Sequence, residues 1–156
     1  ASRVRNTSNQ WAGTTAYGAS AFDPEDVQTL KDTNECVQCD LSEDFLNRAK
    51  LNGAKLSGAN LLLANLSGAN LSGANLSGAD LSGAKLVEAN LRGADLSGAF
   101  LSEAWLNGAD LSEADLSRAW LNGAFLHGAD LSDALMKGAI LCNTTMPDGS
   151  VIYSGC

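Results

Sequence analysis

Leucine recurs at every fifth position from Leu41 to Leu141, with Met136 the one exception. Alanine stands two residues before it in every unit from Ala49 to Ala139; only Cys39 and Asp44, at the start, depart from this. The run from 39 to 143 thus holds 21 contiguous copies of one five-residue unit. A fixed period of this kind dictates the architecture before any local pattern does. Five matches neither the 3.6-residue turn of an α-helix nor the simple alternation of a strand. Within a unit, however, the alanine and the leucine lie two apart, so in extended backbone they face the same way, inward. Each unit is therefore a short extended segment followed by a corner.

Numbering the leucine zero, glycine fills the plus-two position in 12 of the 21 units and serine the plus-one position in 11. That is the composition of a type II turn, whose third residue needs a positive φ that glycine adopts without steric cost. Units with another residue there (Leu63, Glu103, Arg118, Asp133, Asn143) are expected to use a different turn type. Four such corners close a square coil of 20 residues, which makes side chains 20 apart in sequence vertical neighbours. Low-complexity disorder is excluded because two positions per unit are reserved for leucine and alanine, whereas disordered chains lack apolar residues.

Tandem units such as Ala79-Asp80-Leu81-Ser82-Gly83 resemble the pentapeptide-repeat family. The resemblance implies an all-β fold: a right-handed quadrilateral β-helix of about five coils, with a short N-terminal capping α-helix. At ~4.8 Å per stacked strand the rod would be on the order of 25 Å long. Asp23-Pro24-Glu25-Asp26-Val27, Cys36-Val37-Gln38-Cys39-Asp40-Leu41 and Met146-Pro147-Asp148-Gly149-Ser150 are similar to cyanobacterial and chloroplast members. Several of those are targeted to the thylakoid lumen.

The flanks divide the chain into four parts. Residues 1–22 carry no period and read as a mobile arm, with Trp11 and Tyr17 able to dock near Phe45, Leu62 and Leu63. Residues 23–38 hold a capping helix from about 24 to 33 and the start of the CxxC; Asp23 suits the N-cap and Pro24 the first turn. Val27 and Leu30 would face the first coil. Residues 39–143 form the β-helix. Residues 144–156 form a C-terminal capping tail, with a turn at Pro147-Asp148-Gly149 and apolar cover from Val151, Ile152 and Tyr153.

Charge narrows the function. A formal net charge of −8 argues against binding nucleic acid or anionic membrane. No run of 18 apolar residues exists, so no membrane insertion is expected. The start at Ala-Ser-Arg suits either a secretory protein whose signal peptide has been removed or an expressed segment of a longer chain. Cys36, Cys39, Cys142 and Cys156 guard the two ends of the rod and read as structural disulfides, their pairing left open. A shared zinc site would need sulfurs from opposite ends of the rod. The thylakoid lumen or periplasm fits such disulfides; the cytoplasm is the alternative.

No catalytic, cofactor or metal site emerges. His127, the one histidine, occupies an outward plus-one position and reads as a solvated residue. The outward minus-one positions are more informative. Phe100, Trp120 and Ile140 fall in one column, and Trp105 and Phe125 in the next. Such a contiguous apolar patch marks an interface for an unidentified partner protein or for self-association. At least one of Trp105, Trp120 and Phe125 should remain exposed, while the tail folds back with Ile152 or Tyr153 against Ile140. Asp110, Asp130, Glu113 and Asp133 belong to a third face, and Asp95 and Asp115 to a fourth. Two alternatives come from other classes: a DNA mimic that regulates DNA gyrase, which some family members are, and a thiol-disulfide redox protein acting through the CxxC. The repeat region holds 12 acidic and 7 basic residues, a modest excess for a DNA mimic.

Overall fold

The computed structural model describes residues 22–153, 155 and 156. Trp11 and Tyr17, expected to dock near Phe45, lie outside the described residues. Phe45 itself is 80% exposed. The chain enters through helix α1 (Pro24–Thr33), whose N-cap Asp23 accepts the Glu25 N–H at 2.9 Å and whose first turn carries Glu25 and Asp26. Asn34 ends the helix in the left-handed region, with φ 60°, and returns its N–H to the Leu30 carbonyl. Val27 and Leu30 are buried in the same cluster as the repeat leucines.

From there the backbone winds in coils of 20 residues. Each minus-one residue forms a parallel bridge with its counterparts 20 residues away, from Glu35↔Lys55 through to Phe125↔Thr145. Three hydrogen bonds per unit tie neighbouring coils. In the unit centred on Leu51, the leucine N–H donates to Asn70 O and the Gly53 N–H to Ser72 O, both at 2.8 Å. The Lys55 N–H that follows reaches back to Asn34 O at 3.0 Å. Within each corner the next alanine N–H closes the turn on the leucine carbonyl, as Ala54 does with Leu51 at 3.0 Å. Leucine and alanine at the centre and minus-two positions fill the interior: from Ala54 to Leu126 their exposure there is 0–1%. Residues so fully shielded from solvent pack as a protein interior does, and the outward side chains sit on that frame.

Two expectations need correction. Leu63, Glu103, Arg118, Asp133 and Asn143 do not use another turn type; their φ values are 56–60°, and the other non-glycine plus-two residues match them. The reason is the ladder. The Glu103 N–H donates to Asn122 O at 2.8 Å and the Leu63 N–H to Ser82 O at 3.0 Å, the bonds a glycine makes at the same place. A left-handed L-residue costs roughly 1–2 kcal/mol, and the inter-coil bonds on either side over-determine the corner.

The second correction concerns the tail. Strand β1 (Thr144–Thr145) pairs antiparallel with β2 (Val151–Ile152) around a turn in which Met146 N–H donates to Ser150 O at 2.7 Å. Val151 and Tyr153 are exposed rather than laid over the core. Leu131, Met136, Leu141 and Met146 at this end are only partly buried. The tail brings Gly155 close to Ile140: a Cβ there would lie 3.7 Å from Ile140 Cγ2.

Candidate functional site: two aromatic columns and the corners beside them

The coil places the five outward residues as the period requires. Phe100 bridges Trp120 and Trp120 bridges Ile140, while Trp105 bridges Phe125 on the adjoining face. The Phe100 and Trp120 rings stack with centroids 6.1 Å apart and planes at 28°. Trp105 and Phe125 meet edge to face at 6.3 Å and 75°. Both arrangements suit the ring quadrupole, so each column holds itself in place. Lys85, one coil before Trp105, sets its ammonium 6.0 Å from the indole centroid. All four rings stay between 42% and 48% exposed, and Ile140 is half-buried beneath Gly155.

Each face ends at a corner, and both corners bordering the Phe100 column are hollow. The trailing corner, between the two columns, forms a groove of about 340 Å³ lined by Glu103, Asn122, Gly123, Phe125, Cys142 and Asn143. The leading corner forms a larger one of about 600 Å³, lined by Ser97, Gly98, Ser117, Arg118, Lys137 and Gly138. Sequence reasoning over minus-one positions missed this groove, because Arg118 stands at plus two and Lys137 at plus one. Tracking corner positions 20 apart would have found it.

The acidic faces also stack as expected, with Asp95 bridging Asp115 and Asp110 bridging Asp130. These carboxylates are tied into their own corners. Asp95 Oδ1 accepts the Ser97 N–H at 3.0 Å and its hydroxyl at 2.6 Å. Hydrogen bonds from the Ser117 hydroxyl and then its N–H hold Asp115 below the usual carboxylate range. Ser132 acts in the same way on Asp130, and Ser150 on Asp148 in the tail turn. Arg92 pairs with Glu113 across one coil, and Lys55 with Glu35 at 3.4 Å.

The cysteines form two disulfides, Cys36–Cys39 and Cys142–Cys156, with Cα atoms 5.3 and 4.9 Å apart. Asp26, Cys36 and Cys39 are the one group of metal-ligand type among the described residues, their ligand atoms within 4.8 Å of one another. Joined in a disulfide, the two sulfurs offer no thiolate to a metal. His127 is exposed and lies against the tail turn, 3.4 Å from the place of a Cβ on Gly149.

The comparisons with known proteins agree with the coil. A family model for pentapeptide repeats matches residues 46–83, 74–112 and 109–146. The pentapeptide repeat protein Rfr23 of the cyanobacterium Cyanothece 51142 is 30% identical, with a TM-score of 0.72 over 84% of this chain and 99% of that one. HetL of Nostoc sp. strain PCC 7120, a pentapeptide repeat protein involved in regulating heterocyst differentiation, is 39% identical, with a TM-score of 0.50. That match covers 76% of this chain and 64% of HetL. A thylakoid-lumen pentapeptide repeat protein of Arabidopsis thaliana is 34% identical over 66% of this chain and 68% of its own, with a TM-score of 0.48. No curated protein sequence matches. The chain belongs to the pentapeptide-repeat family, whose members form right-handed quadrilateral β-helices.

Proposed function

We propose that this pentapeptide-repeat scaffold is a non-enzymatic interaction module that binds a partner protein, or a second copy of itself, through Phe100, Trp105, Trp120, Phe125 and Ile140. The observation that carries the reading is the pair of self-stacked aromatic columns, exposed on two adjoining faces of a frame whose core has no slack. Aromatic anchors on a rigid surface lose little conformational entropy on binding, which is why they dominate interface energetics. In this reading about five coils form the rod, and α1 closes its N-terminal end through Val27 and Leu30. The two disulfides favour an oxidising compartment, the thylakoid lumen or periplasm.

The gyrase alternative has less support. The Asp95–Asp115 column begins after Asn75 and ends at Leu135, and the Asp110–Asp130 column follows Asn90. Strips two carboxylates tall are short for a mimic of a phosphate backbone. The test compares the full chain with a Trp105→Ser/Trp120→Ser variant in affinity capture from its native compartment and in sedimentation velocity. A specific partner or a dimer retained by the first and lost by the second is expected. Equal behaviour of the two proteins would sink the reading.

A further inference from the structure

We infer that the leading corner beside the Phe100 column is a docking groove for an extended acidic segment of a partner protein. Its carboxylates would meet Arg118 and Lys137, and its apolar side chains would lie on Phe100 and Trp120. This rests on the aromatic-face reading above and adds the chemistry of the partner.

The cations of the rod are unequally engaged. Arg92 is paired with Glu113, Lys55 with Glu35, and Lys85 stands over Trp105. Arg118 and Lys137, like Arg48 and Lys50, are exposed and make no salt bridge among the described residues, and Arg118 and Lys137 together line the larger groove. They occupy consecutive coils of one corner, in a chain whose net charge is −8. The groove is also built. A Cβ on Gly138 would lie 3.2 Å from Arg118 Cγ, so the arginine stem rests in the hollow the glycine leaves. Nothing lies within 4 Å of the equivalent point on Gly98, which leaves that end of the groove open.

The sequence sets the basic corner directly against the aromatic face. Arg118-Ala119-Trp120 and Gly138-Ala139-Ile140 each run from corner to face with only the inward alanine between them. The two cations therefore stand beside Trp120 and Ile140, and the strip is completed at Phe100 by the uncharged Ser97 and Gly98. On the other flank stand Asp95 and Asp115, bound by their own serines. They repel a carboxylate from that side, so a ligand's acids are confined to the aromatic side of Arg118. The same aspartates disfavour a nucleic acid, whose charge cannot be confined to one edge. An extended peptide repeats its same-side side chains every ~7 Å, close to the 6.1 Å between the Phe100 and Trp120 centroids.

The test is selection from a random peptide display library on the full chain, followed by anisotropy titration of the enriched peptides. Enriched sequences are expected to combine Asp or Glu with aromatic or large aliphatic residues, and their affinity to fall as salt rises. The Arg118→Glu/Lys137→Ser variant should bind them at least about tenfold more weakly. Both replacements are residues that other units carry at those positions, such as Glu103 and Ser117, so the coil is preserved. An empty selection, basic or neutral sequences, or unchanged affinity for the variant would overturn the inference. Peptides lost by Trp105→Ser/Trp120→Ser but kept by the charge variant would overturn it and leave the aromatic reading standing. Peptides kept by both variants would remove both.

Discussion

Cys39 donates its N–H to the carbonyl of Cys36 at 3.3 Å, across the same corner that Ala54 closes on Leu51 at 3.0 Å. Cys36 stands five residues before Leu41 and Cys39 two before it, so the disulfide takes the places of one leucine and one alanine. Gln38 between them has the positive φ, 58°, of a plus-two residue. The CxxC spans the corner between two repeat units, and joins covalently the core side chains on either side of it. Closing so short a loop is worth about 2 kcal/mol in the chain-entropy model. A Cys36→Ser/Cys39→Ser variant is expected to lose about that much or more, since it also leaves a hydroxyl in the buried position of Cys36. Cys36→Leu/Cys39→Ala restores the family's own core residues and should stay within about 1 kcal/mol of the parent in denaturant unfolding. Equal losses in the two variants would mean that the sulfurs do more than fill a corner.

The corners also predict where stability can be added. Glu103 holds φ 59° at a place where 12 other units have glycine. Replacing it by glycine removes a strain of roughly 1–2 kcal/mol and adds unfolded-state freedom worth roughly 0.5–1 kcal/mol. The Glu103→Gly variant should therefore gain up to about 1.5 kcal/mol in unfolding free energy. Gly78→Ala is the mirror experiment. A Cβ there meets nothing within 4 Å, so no packing clash enters, and its expected loss is the backbone strain less the unfolded-state freedom removed, up to about 1.5 kcal/mol. No change in either variant would show that the ladder does not set the turn.

How much of this was legible follows from which positions carry the signal. The columns could be read because a period of five, turned through four corners, makes Phe100 and Trp120 neighbours by arithmetic. The ladder's true ends could not. Cys36 and Cys39 conceal a unit by replacing leucine and alanine, and Thr144 and Met146 do so at the other end, where Thr144 is fully buried and donates its hydroxyl to Leu121 O at 2.6 Å. The turn expected to change at Glu103 did not, because local sterics are weaker than bonds supplied by distant coils. The basic groove was missed because Arg118 and Lys137 hold different places in their units and meet only at a three-dimensional corner.

Acid should loosen the corner that Asp115 holds. Asp115 has its pKa lowered from 3.8, first by the Ser117 hydroxyl and then by the Ser117 N–H. A depressed folded value means that this support is present above the unfolded pKa and is lost as pH falls through the folded one. Ser117→Ala removes the larger cause, so the Asp115 carboxyl should titrate nearer 3.8 in a carbon-13 NMR series. An unmoved titration would show that the N–H alone holds the charge.

Asp44 titrates in the opposite sense. It occupies the inward alanine position, is buried, and its Oδ2 has no hydrogen-bond partner. Its Oδ1 accepts the Phe45 N–H at 2.8 Å. In the next coil the corresponding Asn65 N–H instead reaches the carbonyl of Asp44 itself, so here a side chain stands in for a missing coil. Burial raises the Asp44 pKa above 3.8, against the lowering pull of the Phe45 N–H and the Lys31 charge. A raised folded value makes the folded state bind protons more tightly, so stability falls as pH rises from 3.8 through the folded pKa. Asp44→Asn keeps the acceptor for Phe45 and discards the charge. It should therefore be more stable than the parent at neutral pH, and its advantage should shrink as the medium is acidified through that window. An advantage that stayed constant with pH would locate the cost of Asp44 in its unpartnered oxygen rather than in its charge.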